Sequence, residues 1–433
     1  MRRRVPQLLR VNRAFRNYWA GQTISLWGDQ IALLAIPLLA VLTLHANAEQ
    51  MGFLAAVEMA PSLLFAFHLG AWADRRRSRQ ALLITADLGR AVLLLGIPIA
   101  SVFGVLSLPL LYVVAFLTGT LGILFMIAEQ TVFTSLVRPR EYVEANSLLI
   151  GSRSVAEAGG KSLGGLLVAA VTAPAAIAID AVSFLLSALF IGRAEVPEPP
   201  AAAPDSGGLA AGVGFIRRTP LLQASLLATA TFNIFNTAFW ALIVLFATEE
   251  LHLGSGAIGV ALGIGALGSV LGSALARGLA ARLGLGKVML FAFVLAPLPL
   301  ILVPLADGPP ALSMGLLTAA EFLSGIGVMV LDVGLFSLQA ALIPDPLRSR
   351  VWGAILFVNW GVRPIGAVAG GFLAGAIGLR PTMWIAAVGG LAGVLWLLPS
   401  RLSQVRDISD EVPAMSDRAP TKATEADAPI AVR

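Results

Sequence analysis

The sequence contains no cysteine. Disulfides, thiolate nucleophiles and cysteine metal sites are therefore excluded. Its three histidines, His45, His68 and His252, are scattered and give no metal-ligand spacing. Charge is scarce as well: only 13% of the 433 residues are Asp, Glu, Lys or Arg, and 57% are hydrophobic. A soluble domain carries roughly 25% charge and about 45–50% apolar residues. The mean hydropathy of +0.85 points the same way. A soluble enzyme, a disordered chain and a nucleic-acid binder are excluded on these grounds. No G-x-x-x-x-G-K-[ST] motif is present, which argues against ATP-driven transport by this chain. A G-x-G-x-x-G occurs at 263–268, but no strand precedes it and it lies inside an apolar run, so a nucleotide-binding reading fails.

What is present is a series of apolar runs. A membrane-crossing helix takes about 20 such residues. The runs predict twelve spans at 17–44, 50–73, 81–104, 109–137, 143–171, 175–193, 221–248, 255–281, 288–306, 311–343, 351–378 and 381–400. The tenth is overlong, and a tilt or a break near Gly325 and Gly327 is expected. The first run is much longer than a signal-peptide core and follows Arg2, Arg3, Arg4, Arg10, Arg13 and Arg16, so no cleavable leader is expected. With the N-terminus inside, 25 of the 30 Lys and Arg fall on inner segments. Four lie within spans, and Arg380 alone falls outside. This asymmetry predicts both termini in the cytoplasm. High Ala, Gly and Arg with little Lys suggests the plasma membrane of a bacterium.

The fold expected is therefore an all-α membrane protein of 12 transmembrane helices in two pseudo-symmetric six-helix bundles. The divisions are a cytoplasmic N-terminus (1–16), an N-terminal bundle (17–193), a linker with a short amphipathic helix (194–220), a C-terminal bundle (221–400) and a disordered cytoplasmic tail (401–433). An internal repeat supports the two halves. A shift of 206 residues lays Gly160, Gly164, Gly165 and Leu167 on Gly366, Gly370, Gly371 and Leu373. A shift of 208 lays Gly70 on Gly278 and Asp74 on Arg282. Transporters with parallel repeats bind substrate between the halves, near the bilayer midplane.

Ionisable residues within spans are costly and mark functional sites by default. Asp29 lies about 12 residues into the first span, roughly 18 Å deep at 1.5 Å per residue. No basic residue lies within a turn of it. Burial disfavours the charged form of such a group, which makes Asp29 the first proton-binding candidate. Its alternative is a hydrogen bond to a neighbouring helix. Arg153, Glu157 and Lys161 recur every four residues and share one helical face. They form either a cavity wall for anionic groups or a self-neutralising ladder. Asp87 and Arg90 are an i,i+3 pair, and Glu129 sits at similar depth. Glu321 and Arg363 are both near mid-depth and are expected to pair. Asn233, Asn236 and Asn359 are polar cavity candidates. Trp27, Trp240 and Trp360 are candidates for stacking on substrate. Glu58 and Asp180 lie nearer the outer face and receive no role.

The segment GAWADRRRSR after the second span resembles the signature of the major facilitator superfamily, with Gly70, Asp74, Arg75 and Arg79 matching. The usual Gly before the last basic pair is Arg77 or Ser78 here. FRNYWAGQTISLWGDQIALLAIPL, LVRPREYVEANSLL, GVGFIRRTPLL and the R-x-R-V-x-G at 348–353 resemble the macrolide-efflux and enterobactin-exporter-like drug:proton antiporters. The similarity spans most of residues 15–400. The resemblance implies that Asp74 acts as a latch facing the eleventh helix in the outward-facing state. A carboxylate at a helix N-terminus gains about 0.3–1 kcal/mol there. The antiporter motif of the fifth helix ends as Gly160-Lys161-Ser162-Leu163-Gly164-Gly165, with Lys161 where the family has Pro.

The expected function is proton-coupled efflux of a small amphipathic compound by a rocking, alternating-access bundle. Glu129, Glu157 and Glu321 join Asp29 as proton-coupling candidates. The expected partners are a small-molecule substrate, protons and the lipid bilayer, in a monomer without nucleic acid, cofactor or metal. The rival readings are a proton-coupled importer of the same fold and a non-transporting scaffold, scramblase or sensor. A membrane enzyme lacks support, because no nucleophile–base pattern is present.

Overall fold

The computed structural model describes residues 6–74, 76, 78–197, 209–344, 347–400 and 402. Twelve helices carry the architecture. They are α1 (Arg13–Leu42), α2 (Ala48–Asp74), α3 (Arg79–Val102), α4 (Leu108–Leu136), α5 (Tyr142–Ala170), α6 (Ala173–Gly192), α7 (Pro220–Glu249), α8 (Ser255–Leu283), α9 (Leu285–Leu295), α10 (Pro310–Leu342), α11 (Arg348–Ile377) and α12 (Leu379–Gly390). A 3-10 turn at Leu298–Leu302 extends α9, and another at Leu391–Trp396 extends α12. Among the described residues ten of these segments are long and apolar enough to cross a membrane by composition alone. Helix α5, of 29 residues, carries Arg153, Glu157 and Lys161 in its middle.

Local chemistry sets the helix ends. Asn12, Ser78 and Thr172 accept backbone N–H bonds from Phe15, Ala81 and Ala175, and so cap α1, α3 and α6. Gly284 (φ 85°) and Gly378 (φ 94°) turn α8 into α9 and α11 into α12 within one residue. Only glycine enters that region cheaply. Of the tilt or break expected in α10, the break does not occur: Pro310–Leu342 is one continuous helix. Gly327 backs onto Leu295 and Ala296 at the end of α9, and Gly325 lies against Ser269 of α8. Both glycines serve close packing, as small residues do between membrane helices.

The six N-terminal helices pack chiefly on one another, as do the six C-terminal ones. The halves meet chiefly through two helix pairs, α5 with α8 and α2 with α11, with lesser contacts of α7 on α1 and α2. The two chief pairs are related by the internal repeat. Gly165 of α5 abuts Gly259 of α8, and Gly371 of α11 abuts Gly52 of α2. Within the halves the correspondence continues. Gly160 and Gly164 press on Gln30 and Ile31 of α1, whereas Gly366 and Gly370 press on Ile234 and Ala238 of α7.

The end of the bundle where α1 begins, α6 leads to α7 and α12 finishes is termed the basic end, and the opposite one the hairpin end. One apolar core joins both halves toward the hairpin end and includes Leu38, Leu39, Phe184, Leu242 and Phe246. Toward the basic end there are two separate cores, one per half. The N-terminal one contains Phe15, Tyr18 and Leu83, and the C-terminal one Met289, Phe293 and Val351. The α2–α11 contact extends to Leu63 against Gly361, and Gly70 and Gly278 further along meet nothing within 4 Å. The halves are thus closed at the hairpin end and parted at the basic end. At the closed end Arg380 donates to the carbonyls of Pro304 and Ala306 and pairs with Glu250 at 3.2 Å.

A short helix at Leu209–Arg218 precedes α7. Its Ile216 joins the C-terminal core, and its Gly212 seats against the Arg350 carbonyl. Residues 198–208 and 403–433, which hold most of the expected linker and tail, lie outside the described residues.

Candidate transport site

Two neighbouring cavities occupy the bundle. The larger, of about 390 Å³, lies between the halves. Its wall is mostly apolar, with Leu34, Met51, Leu54, Met59, Ile243, Val244 and Val328 among the lining residues. Its polar groups include Glu58, Lys161, Asn236 and Glu321. The smaller, of about 240 Å³, lies within the N-terminal half and is lined by Asp29, Glu58, Arg90 and Asp180. Leu33, Ile36, Pro37 and Glu58 border both.

In the larger cavity Lys161 donates to Glu321 at 3.1 Å. The two side chains come from opposite halves and are 21% and 10% exposed. Lys161 also lies 5.9 Å above the Trp240 ring, and the Trp240 indole donates to Asn236 at 3.1 Å. Two expectations are corrected here. Lys161 does not close a ladder with Glu157 on its own helix, because it leans across to α10. Glu321 does not pair with Arg363, because Lys161 takes it. Arg153 is exposed and Glu157 half-buried, and neither forms an ion pair among the described residues.

Arg363 belongs to a separate group between α7 and α11. It stacks at 4.5 Å on Trp360 and reaches Asn233 at 3.5 Å, and Asn233 donates to Asn359 at 3.4 Å. These four line neither cavity. Trp27 packs on Gly159 of α5 and also lies outside both cavities. Glu129 accepts from Gln22 at 2.8 Å and Tyr18 at 3.2 Å, which ties α4 to α1.

In the smaller cavity Asp29 is not isolated, contrary to the reading of its own helix. Arg90 of α3 approaches it at 4.0 Å, and the Asp29 side chain is 42% exposed. The neighbour came from another helix, where sequence spacing cannot see it. Arg90 also pairs with Asp87, as the i,i+3 spacing predicts. Its guanidinium is held between Phe125 and Phe184, 4.7 and 4.0 Å from the ring centres. Glu58 and Asp180, which received no role, both line this cavity. Asp180 was missed because depth was counted along its own helix. The signal available was the polar stripe Asp180, Ser183 and Ser187, which recurs on one face of an apolar helix.

The sequence-derived gating motif is only partly visible. Gly70 faces open space, and Arg79 is buried at the start of α3. Arg75 and the Asp74 side chain lie outside the described residues. Among the described residues no group of His, Asp and Glu could hold a metal ion.

Comparison with known proteins gives a consistent picture. The profile of the family described as "Transmembrane secretion effector" matches residues 9–429. The MFS-type transporter YfiS of Bacillus subtilis is 26% identical over 394 residues, covering 86% of this chain and 89% of that one. The bundle is similar to a bacterial homologue of the iron transporter ferroportin in its inward-facing state, with TM-score 0.70 and 18% identity over 92% of this chain and 100% of that one. It is similar also to the nucleoside transporter NupG, with TM-score 0.68 and 14% identity over 89% of this chain and 98% of that one.

Proposed function

The chain belongs to the transmembrane secretion effector family of major facilitator transporters, and on that premise we propose that it exports a small amphipathic compound in exchange for protons. The observation that carries this reading is the pair of adjoining cavities. One is a largely apolar chamber between the halves, bridged by Lys161 and Glu321; the other is a charged chamber holding Asp29 and Arg90. The first suits the apolar body of a substrate. The second offers a carboxylate, Asp29, open enough to exchange protons with the chamber.

On this reading the basic end faces the cytoplasm of a bacterium, by the distribution of Lys and Arg. The described conformation then opens inward, the side on which an exporter loads. A proton arriving on Asp29 removes its attraction to Arg90 and leaves that guanidinium to Asp87. Closure of the basic end, with the Gly70–Asp74–Arg75–Arg79 segment brought against the C-terminal half, completes the cycle. The resemblance to drug:proton antiporters belongs to this proposal, as does a role in resistance.

The test uses purified protein in liposomes with an imposed pH gradient and an internal pH dye. Dyes, macrolides and siderophore-like compounds are added one at a time. Collapse of the gradient by a compound, lost in Asp29→Asn, is the expected result. An Asp29→Asn protein that behaves like its parent overturns the assignment. Failure of every compound with folded, inserted protein overturns proton-coupled export. Accumulation of a compound on the side away from the basic end fixes direction as export, and the reverse makes the protein an importer.

A further inference from the structure

The charged chamber holds more acid than base. Asp29, Asp87 and Asp180 come from α1, α3 and α6, and the ion pairs within 4.0 Å that involve them both belong to Arg90. Asp29 and Asp180 line the wall and Asp87 lies behind it; Glu58 of α2 adds a third carboxylate on the wall, and α4 contributes only the neutral Thr118 and Gly119. Arg90 is 8% exposed and lies between two aromatic rings, which in this conformation place its charge beside Asp87 and Asp29.

Among the three aspartates, Asp180 is the one with which Arg90 makes no ion pair within 4.0 Å. It is 1% exposed, lines the chamber and receives a hydrogen bond from Ser183 at 3.1 Å. Its seat depends on Gly28 of α1: a Cβ there would overlap Asp180 Oδ1 and Ser183 Oγ. The surroundings are not saturated. The second carboxylate oxygen of Asp87, a residue with no exposed surface, lacks a hydrogen-bond partner, and so does Arg90 Nε.

Asp87 and Asp180 are almost fully buried whereas the Asp29 side chain is 42% exposed, and Arg90 is already engaged by Asp87 and Asp29, so an ionised Asp180 would be an uncompensated negative charge in a nearly dry seat. The desolvation cost of such charges is several kcal/mol each, and a buried group in that position takes up a proton instead. We propose that Asp180 is a resident proton-binding site of the N-terminal half, held over Gly28 between α1 and α6. The proton sits on a carboxyl oxygen of Asp180 while Arg90 serves Asp87 and Asp29. A turn of the Arg90 guanidinium toward Asp180 supplies the replacing cation, and the Asp180 O–H bond then releases its proton to chamber water. The use of this proton in transport rests on the proton-coupled reading above; its presence does not.

Infrared difference spectroscopy of the purified protein in lipid, exchanged between H₂O and D₂O at neutral pH, tests the site without a substrate. The wild-type protein is expected to show a deuterium-sensitive C=O band of a protonated carboxyl group. The band disappears in Asp180→Asn, moves in Asp180→Glu, and survives in Asp29→Asn and Glu58→Gln. Absence of the band in the wild type, or its full retention in folded Asp180→Asn, overturns the proposal. Should Asp180→Asn not fold, Ser183→Ala removes the hydrogen bond to Asp180, and an unmoved band in that variant overturns the proposal equally. A band of the expected behaviour in a protein that fails the liposome assay separates the two readings: the proton site stands and the coupling falls.

Discussion

Replacing Lys161 by methionine is expected to destabilise the protein by about 3–5 kcal/mol, the usual consequence of leaving one partner of a buried ion pair alone. Glu321, 8% exposed, is the partner left behind. Thermal unfolding in detergent should show a midpoint lower by several degrees. Glu321→Gln should cost less, because the Lys161 side chain is the more exposed of the two. The double replacement Lys161→Met with Glu321→Leu should recover most of the loss, since an apolar pair of similar volume often matches or exceeds a buried ion pair. A double variant as unstable as Lys161→Met alone would refute the account. The recovered protein should still differ in one respect: the pair is a polar tie between α5 and α10, so its removal should raise the fraction of molecules parted at the hairpin end.

Gly165→Leu is expected to reduce transport by roughly 5- to 150-fold. A Cβ on Gly165 would lie 2.5 Å from the Ser255 carbonyl oxygen and 2.6 Å from the Gly259 Cα. Both atoms are backbone, so relief requires the helices to separate. Overpacking costs about 1–3 kcal/mol, and each 1.4 kcal/mol is tenfold in population. Gly371→Leu should act alike, because its Cβ would lie 2.7 Å from the Ala48 carbonyl oxygen across the other helix pair. Gly151→Leu, in open space on the same α5, is the control and should leave the rate unchanged. The absence of native cysteine makes the readout direct. Single cysteines placed at the hairpin end should become reactive to thiol reagents in Gly165→Leu and remain shielded in the control. Wild-type transport and shielding in Gly165→Leu would show that this contact does not govern closure.

Ten of the twelve helices, two of them together with their 3-10 turns, are apolar runs long enough to cross a bilayer, and that is why they were legible. What hydropathy cannot convey is how glycine behaves inside such a run. Gly325 and Gly327 read as a break, yet they let α10 lie against α8 and α9 without interruption. The candidate site divides along the same line. Asp87 with Arg90 is a contact within one turn, and the sequence spacing contains it. Lys161 with Glu321 spans 160 residues and two halves, and no periodicity brings them together. Asp29 seemed unpaired for that reason alone, as its cation arrives from α3. Asp180 shows a further limit. Its depth along α6 is shallow, but a chamber inside the protein reaches it, and the missing side chain at Gly28 leaves room for its carboxyl group.

The helix lengths carry a consequence for the surrounding lipid. The helices that join the halves, α2, α5, α8 and α11, run 27, 29, 29 and 30 residues, about 40–45 Å at 1.5 Å per residue. Helix α6 has 20 residues, and α9 and α12 with their 3-10 turns have 18 each, about 27–30 Å and close to the roughly 30 Å hydrocarbon thickness of a bilayer. These three take no substantial part in the contacts between halves. The acyl chains are thus matched by a short outer palisade, while the inner pillars rise beyond them into the headgroups and water. Rocking of the pillars then displaces solvent and headgroups more than hydrocarbon, and the elastic cost of deforming the membrane at each turnover stays small.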